Sequence, residues 1–255
     1  MSAAQPGERM LEIKSIVKRF GGLTVLNDLS LSLERGSVNC IIGPNGCGKT
    51  TLFNLVTGRL RPDQGQILLN GRDVTGLPAW RIANLGISRK FQIPGVYPEL
   101  SVVENLVVPL AASQRKSGLL GTLFSRNTDR LASLLDLCGL AHKATAKVET
   151  LAHGEKQWLE IAMLLAFDAD LILLDEPTAG MSVPETQKTA GLVRRLQTEF
   201  GKTVLVIEHD MSFVRALECR LVVMLRGKVV REGSLEEIQK DPEVVAAYLG
   251  GAVAC

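Results

Sequence analysis

The stretch GPNGCGKT (43–50) sets a lysine and a hydroxyl directly behind a glycine-rich loop. It fits G-x-x-x-x-G-K-[ST] at every fixed position. It also lies between a short apolar run, SVNCIIG (37–43), and a helix-forming run, KTTLFNLVTG, as that motif requires. The glycines let backbone N–H groups turn inward around phosphate oxygens, and a helix opening near Gly48 adds its positive dipole end. Lys49 then reaches the β- and γ-phosphates of a nucleoside triphosphate, and the Thr50 hydroxyl takes a place on Mg2+.

Partner groups follow further along. LILLDEPTAG (171–180) carries two adjacent acids at the end of an apolar strand. Asp175 is placed to hold the metal through water, and Glu176, pointing to the other side, to polarise an attacking water. VIEHD (206–210) ends the next such run with His209, which can hydrogen-bond the γ-phosphate and that water. Gln92, in RKFQIPGVYPELS, follows a third strand-like run, LGISRKF. A neutral amide there can touch Mg2+ or water without adding charge. The last candidate is LAHGEKQWLEI (151–161), where bare backbone at Gly154 precedes a good helix former. That is either a second anion-binding helix start or an ordinary helix start after a turn.

These residues need elements to position them. LEIKSIV (11–17) and LSLSLE (29–34) read as strands, and Asn70-Gly71 within QILLNGRDV signals a hairpin, so the first part looks antiparallel. LILLDE (171–176) and TVLVIEH (203–209) have the continuous apolar character of parallel strands covered on both faces. Between them and the glycine loop the pattern turns helical, clearest in SVVENLVVPLAA (101–112) and TDRLASLLDLCGL (128–140). The basic stretch between those two, 113–127, reads as a surface linker or loosely docked insertion. Near the end, Ser234 with Glu237 forms a capping box, and Asp241-Pro242 opens a second helix.

The bulk numbers exclude several function classes. The chain has 255 residues, 46% apolar and 22% charged, with a formal net charge of +2. Such a balance gives no nucleic-acid-binding face and no patch for an anionic membrane. No apolar run approaches the roughly 20 residues that span a bilayer, and MSAAQPGERM lacks the features of a signal peptide. Five scattered cysteines without a CxxC pair fit a reducing cytosol better than a disulfide framework or a zinc site.

The order of these motifs — lysine-bearing loop, glycine-containing helix start, paired acids, histidine — resembles the ATPase subunit of an ABC transporter over nearly the whole chain. The resemblance implies an α/β P-loop NTPase fold. It would have a RecA-like parallel-sheet core, an N-terminal antiparallel β-subdomain and an inserted helical subdomain. Residues 1–10 are then a disordered N-terminus, 11–92 the antiparallel subdomain with the first part of the ATP-binding core, and 93–165 the helical subdomain. Residues 166–230 are the second part of the core and 231–255 a helical tail. ATP with Mg2+ is held by Gly43, Asn45, Gly46, Cys47, Gly48, Lys49, Thr50 and Thr51, with Phe20 stacking on adenine. Thr50, Gln92 and Asp175 serve the metal, and Glu176, His209, Lys49 and Gln92 the chemistry.

By the same resemblance LAHGE is the signature loop. Ala152, His153, Gly154 and Glu155 grip the γ-phosphate of ATP bound to a second ATPase, either a copy or a paralogue, in a head-to-tail dimer. Membrane permease subunits meet the chain just after Gln92, from Pro94 on to Leu100. A solute-binding protein acts with them, no nucleic acid is involved, and the complex sits on the cytoplasmic face of the membrane. There are departures from the common pattern L-S-G-G-Q. Ala152, His153 and Glu155 replace its Ser, first Gly and Gln, and Ser182 stands in AGMS where Asp is typical. Cys47 is also uncommon and implies sensitivity to thiol reagents. Together with the tail EGSLEEIQKDPEVVAAYLG, these departures resemble urea and branched-chain amino-acid importers, most closely the urea type. An ATPase of lipopolysaccharide-export type is a further possibility, and a soluble ABC protein of repair or translation the remotest.

Overall fold

The computed structural model describes residues 8–90, 95–114 and 123–249. Two long amphipathic runs open it, β1 (Arg9–Phe20) and β2 (Leu23–Glu34). They pair antiparallel with each other and, through β1, with β4 (Gln64–Leu69), which turns back into β5 (Arg72–Asp73). The turn is the expected one at Asn70 and Gly71, both at positive φ. The sheet order is β2-β1-β4-β5.

Short runs of Ile, Val and Leu make the second sheet. These are β3 (Val38–Ile42), β6 (Ile87–Arg89), β7 (Leu171–Asp175), β8 (Thr203–Ile207) and β9 (Arg220–Leu225). All five run parallel, and β10 (Lys228–Gly233) adds an antiparallel edge in the order β10-β9-β3-β8-β7-β6. Side chains alternate between faces along a strand. Cys40, Ile42, Ile172, Leu174, Val204, Val206 and Val223 therefore join one apolar cluster, and Ile41, Leu171, Leu173, Leu205, Ile207 and Val222 another. Burial on both faces is why these runs read as continuous rather than alternating. Each such side chain fully buried adds about 1.5–3 kcal/mol.

The helix α1 (Lys49–Val56) and the antiparallel sheet cover one face, with Leu52, Phe53, Leu55 and Val56 packed inward. On the other lie α5 (His153–Ala166), α6 (Val183–Thr198) and α7 (Met211–Leu217). They are joined there by α3 (Val102–Gln114) and α4 (Leu123–Cys138). A short α2 (Ala79–Asn84) precedes β6, and α8 (Leu235–Gln239) and α9 (Pro242–Leu249) close the described chain. The caps expected there form: Glu237 accepts from Ser234 N–H at 2.7 Å, and Asp241 from Glu243 N–H at 2.9 Å.

Three expectations need correction. Arg9 and Met10 belong to β1 rather than to a disordered start, because Met10 is fully buried and its carbonyl accepts from Asn70 N–H. Residues 123–127 are not linker but the first turns of α4. The tail expected from 231 begins inside β10, because the β9–β10 hairpin was not recognised. Its turn residues, Arg226 and Gly227, both have positive φ.

Candidate functional site

The strand order decides which residues meet. β8 lies between β3 and β7, with Ile41 opposite Ile207 and Asp175 opposite Ile207 on the other side. The loop 43–50 after β3, His209 after β8 and the acids after β7 therefore open at one edge, the ligand-binding edge of a parallel sheet. His209 follows the neighbour of the strand that ends in Asp175, as its spacing suggested.

A cleft of about 320 Å3 sits there, lined by Val25, Asn45, Gly46, Gly48, Lys49, Thr50, Thr51, Glu176 and Ile207. Helix α1 starts at Gly48 without a side-chain cap, so its first N–H groups remain available to an anion. Gly48 has φ 104°, and a Cβ there would lie 2.6 Å from Leu26 Cδ2. Only glycine brings the helix start this close to β2. The Lys49 ammonium donates to the Gly43 and Pro44 carbonyls at 2.6 and 3.0 Å, both neutral acceptors. Gly43 and Cys47 belong to the loop but do not line the cleft. Burial pushes the Cys47 thiol up, and the Lys49 ammonium offsets this only in part. That weakens the expected thiol sensitivity, since the thiolate is the reactive form. Phe20, at the end of β1, presents a ring 46% exposed beside Lys18 and outside the cleft lining.

Asp175 is 3% exposed and meets a partner that sequence reading missed. Arg89, at the end of β6, donates to its Oδ2 at 2.7 Å and to Asn54 on α1 at 2.7 Å, with Phe53 beneath the guanidinium. Glu176 adopts φ 46°, and its N–H donates to Ile207 O at 2.9 Å. This left-handed turn, at a cost of about 1–3 kcal/mol, swings Glu176 off the strand and into the cleft.

Glu208 fixes the residue next to it. It is buried and accepts from the N–H groups of Thr178, His209 and Asp210 and from the Thr178 hydroxyl. A buried carboxylate just before His209 was the available signal for this anchor. The oxygen donors Thr50 and Asp175 suit a Mg2+ ion shared with phosphates. No group of three His, Cys, Asp or Glu that could cage a metal occurs among the described residues. Gln92 and Pro94 lie outside the described residues.

The helix start at 152–155 stands apart from this cleft in the same chain. Ala152 is the N-cap of α5 and has no side-chain acceptor, so first-turn N–H groups remain open to an anion. Glu155 does not face outward as a rival charge. Its carboxylate turns back to Ala152 N–H at 3.0 Å and takes the Lys143 ammonium at 2.6 Å. Burial raises the Glu155 carboxyl, but these two partners outweigh it and hold it below the usual range. His153 Nε2 lies 3.2 Å from Ala179 O, which ties the loop to AGMS. A Cβ on Gly154 would lie 2.6 Å from Glu185 Oε1, so glycine lets α5 and α6 start side by side. Ser182 N-caps α6, and Glu185 accepts from its N–H and hydroxyl at 2.8 and 2.6 Å. This gives the departure from Asp at Ser182 a local structural purpose.

The profile of the family described as ABC transporter matches residues 26–179. That described as branched-chain amino acid ATP-binding cassette transporter matches residues 232–254. The high-affinity branched-chain amino acid transport ATP-binding protein LivG of Salmonella typhimurium is 38% identical over 252 residues, 95% of this chain and 98% of that protein. Among solved structures, the ADP conformation of an ATP-binding cassette of an ABC transporter superposes with TM-score 0.81 at 30% identity. It covers 95% of this chain and 99% of its own. A dimeric post-hydrolysis cassette bound to ADP and Pi gives 0.74 at 27% identity, covering 89% and 99%. This chain belongs to the ABC transporter family, as the ATP-binding subunit of an importer. It is an ATPase whose hydrolysis is coupled to transport, and the expected fold class is borne out.

Proposed function

We propose that the chain powers the import of branched-chain amino acids. The observation that carries this is the match of residues 232–254 to the branched-chain family, because the tail lies outside the hydrolytic machinery common to ABC ATPases. LivG, similar along the whole chain, supports the same reading. The urea expectation finds no such support and gives way to it.

In this reading the loop 43–50 holds ATP, with Lys49 on the β- and γ-phosphates and the free N–H groups of α1 around them. Phe20 stacks on the base. Thr50, Asp175 and Gln92 would hold Mg2+, which when bound would neutralise charge on the phosphates. Glu176 takes the proton of the attacking water while His209 orients water and γ-phosphate. The helix start at 152–155 completes the site of a second ATPase, head to tail. Positioning and charge stabilisation do the rest.

An apolar groove of about 340 Å3 lies between α2 with β6 and the helices α3 and α5, with Ile82, Ile87, Met163, Leu164 and Gly95 among its lining. With the half-exposed Tyr97 nearby in the chain, it is the surface on which the permease sits. No helix among the described residues is long and apolar enough to cross a membrane. In the importer reading the subunit works from the cytoplasmic face, held there by the permease.

Uptake of labelled leucine and labelled urea into cells carrying wild type or Lys49→Ala tests this. Loss of leucine uptake alone supports the proposal. Loss of urea uptake alone replaces the cargo, and loss of neither while purified Lys49→Ala fails to hydrolyse ATP removes the importer role.

A further inference from the structure

Arg89 ends β6 and Lys90 follows it, still bonded to β7 through its N–H to Leu173 O, so the two side chains project to opposite faces. Arg89 reaches the metal-site acid Asp175. Lys90, 2% exposed, faces Glu160 of α5, itself 4% exposed, at 3.5 Å. The other Glu160 oxygen accepts from Gly95 N–H at 2.9 Å. One carboxylate of α5 thus holds residues 90 and 95, the two flanks of the segment that contains Gln92.

This arrangement is costly. Burial raises the Glu160 carboxyl above its usual range, although Lys90 and the Gly95 N–H pull it down. Glu160 Oε2 makes no hydrogen bond, leaving the 3.5 Å contact with Lys90 as its compensation. Buried ion pairs contribute little net stability, and apolar replacements of both partners are often neutral. A simple apolar contact would have served packing as well. What the pair adds is a directional tie between two bodies: the strand that carries Arg89, and the helix whose first turn is 152–155.

We infer that Glu160 is a positioning residue that couples the nucleotide cleft of its own chain, through Lys90 and Gly95, to the placement of the α5 start. The inference rests on the reading that this start serves a second ATPase. The chain of contacts runs from Asp175 to Arg89, across one peptide to Lys90, and on to Glu160, two turns into the helix that begins at His153. An allosteric link of ordinary strength changes an affinity or a population by about 5–150-fold.

Trp158, two residues before Glu160, reports on α5. Its indole N–H donates to Thr189 on α6 at 2.9 Å, and Lys188 lies 3.6 Å from its ring centre. Trp80, the second tryptophan, is removed as Trp80→Phe. Removing one charge of the pair would strand the other, so the variant is the double Lys90→Met/Glu160→Gln, which keeps an acceptor for Gly95 N–H. In the full chain, Mg-ATP changes Trp158 emission in the parent. In the double variant that change falls at least about fivefold, while melting stays close to the parent and binding of a fluorescent ATP analogue stays within about twofold. An undiminished change in the double variant overturns the inference, as does no change in the parent. Association of ATP-loaded Glu176→Gln chains, with each other or with a second ATPase, is scored separately. Its absence would remove the shared-site reading while the Trp158 result still decides the coupling.

Discussion

His209 Nδ1 lies 3.5 Å from Glu176 Oε1, and the backbone of each residue is held by β8 or by the residue just after it. Glu176 N–H bonds to Ile207 O, and His209 N–H bonds to the buried Glu208. The two side chains therefore meet at the cleft from neighbouring strands, with their separation set by the sheet.

Glu176→Gln keeps the shape and removes the carboxylate proposed as the base. ATP binding should persist while turnover falls at least about 100-fold, the loss expected for a general base. Phosphate release from the purified protein measures it, and near-normal turnover would remove Glu176 from this role.

Glu208→Ala should lower stability, because it leaves the N–H groups of Thr178, His209 and Asp210 without their acceptor, that of Thr178 in a buried site. Each such orphan costs about 1–3 kcal/mol. Urea denaturation should show the loss, and Glu208→Gln, which retains an oxygen, should recover part of it.

The pair Lys143–Glu155 predicts a pH-dependent contribution. The folded Glu155 carboxyl sits below its usual value, so its stabilisation is present above the unfolded pKa of about 4.3 and fades as pH falls through the lower folded value. Lys143→Ala should be less stable than wild type at neutral pH, and the difference should shrink in acid. Paired unfolding curves at the two pH values test this; a gap that persists in acid assigns the loss to something other than the carboxylate. In the shared-site reading the same variant should also weaken ATP binding across the dimer, by releasing a negative charge beside the phosphate.

Cys47 should label slowly with maleimide at neutral pH and faster as pH rises, since burial holds its thiol above the ordinary value. Cys219, half-buried, should react before Cys47. Mass spectrometry of labelled peptides over time separates the two, and rapid modification of Cys47 at pH 7 would contradict its burial.

The parts of the site that could be read in the sequence are those written within a few consecutive residues. The loop 43–50, the acids 175 and 176 and the apolar run leading to His209 each carry their context beside them. Arg89 was not legible because its meaning lies in Asp175, 86 positions away. Glu160 was hidden for the same reason, its contacts with Lys90 and Gly95 being made only by the fold. The partner of Glu155 was hidden too, since Lys143, 12 residues earlier, meets it only in the folded chain. The β9–β10 hairpin was a different failure. Its Arg226-Gly227 turn is a local signal, with an apolar run on each side that pairs as a hairpin.

The methyl group of Ala152 has a consequence for how such a subunit behaves alone. Every later turn of α5 is closed by its own chain, but the first is left for something outside to finish. If ATP on a counterpart is what finishes it, the solitary subunit is a motor with its ignition split between two keys. Idle fuel use is then restrained by incompleteness, with no inhibitor needed, and the cell controls the engine by controlling who is seated opposite.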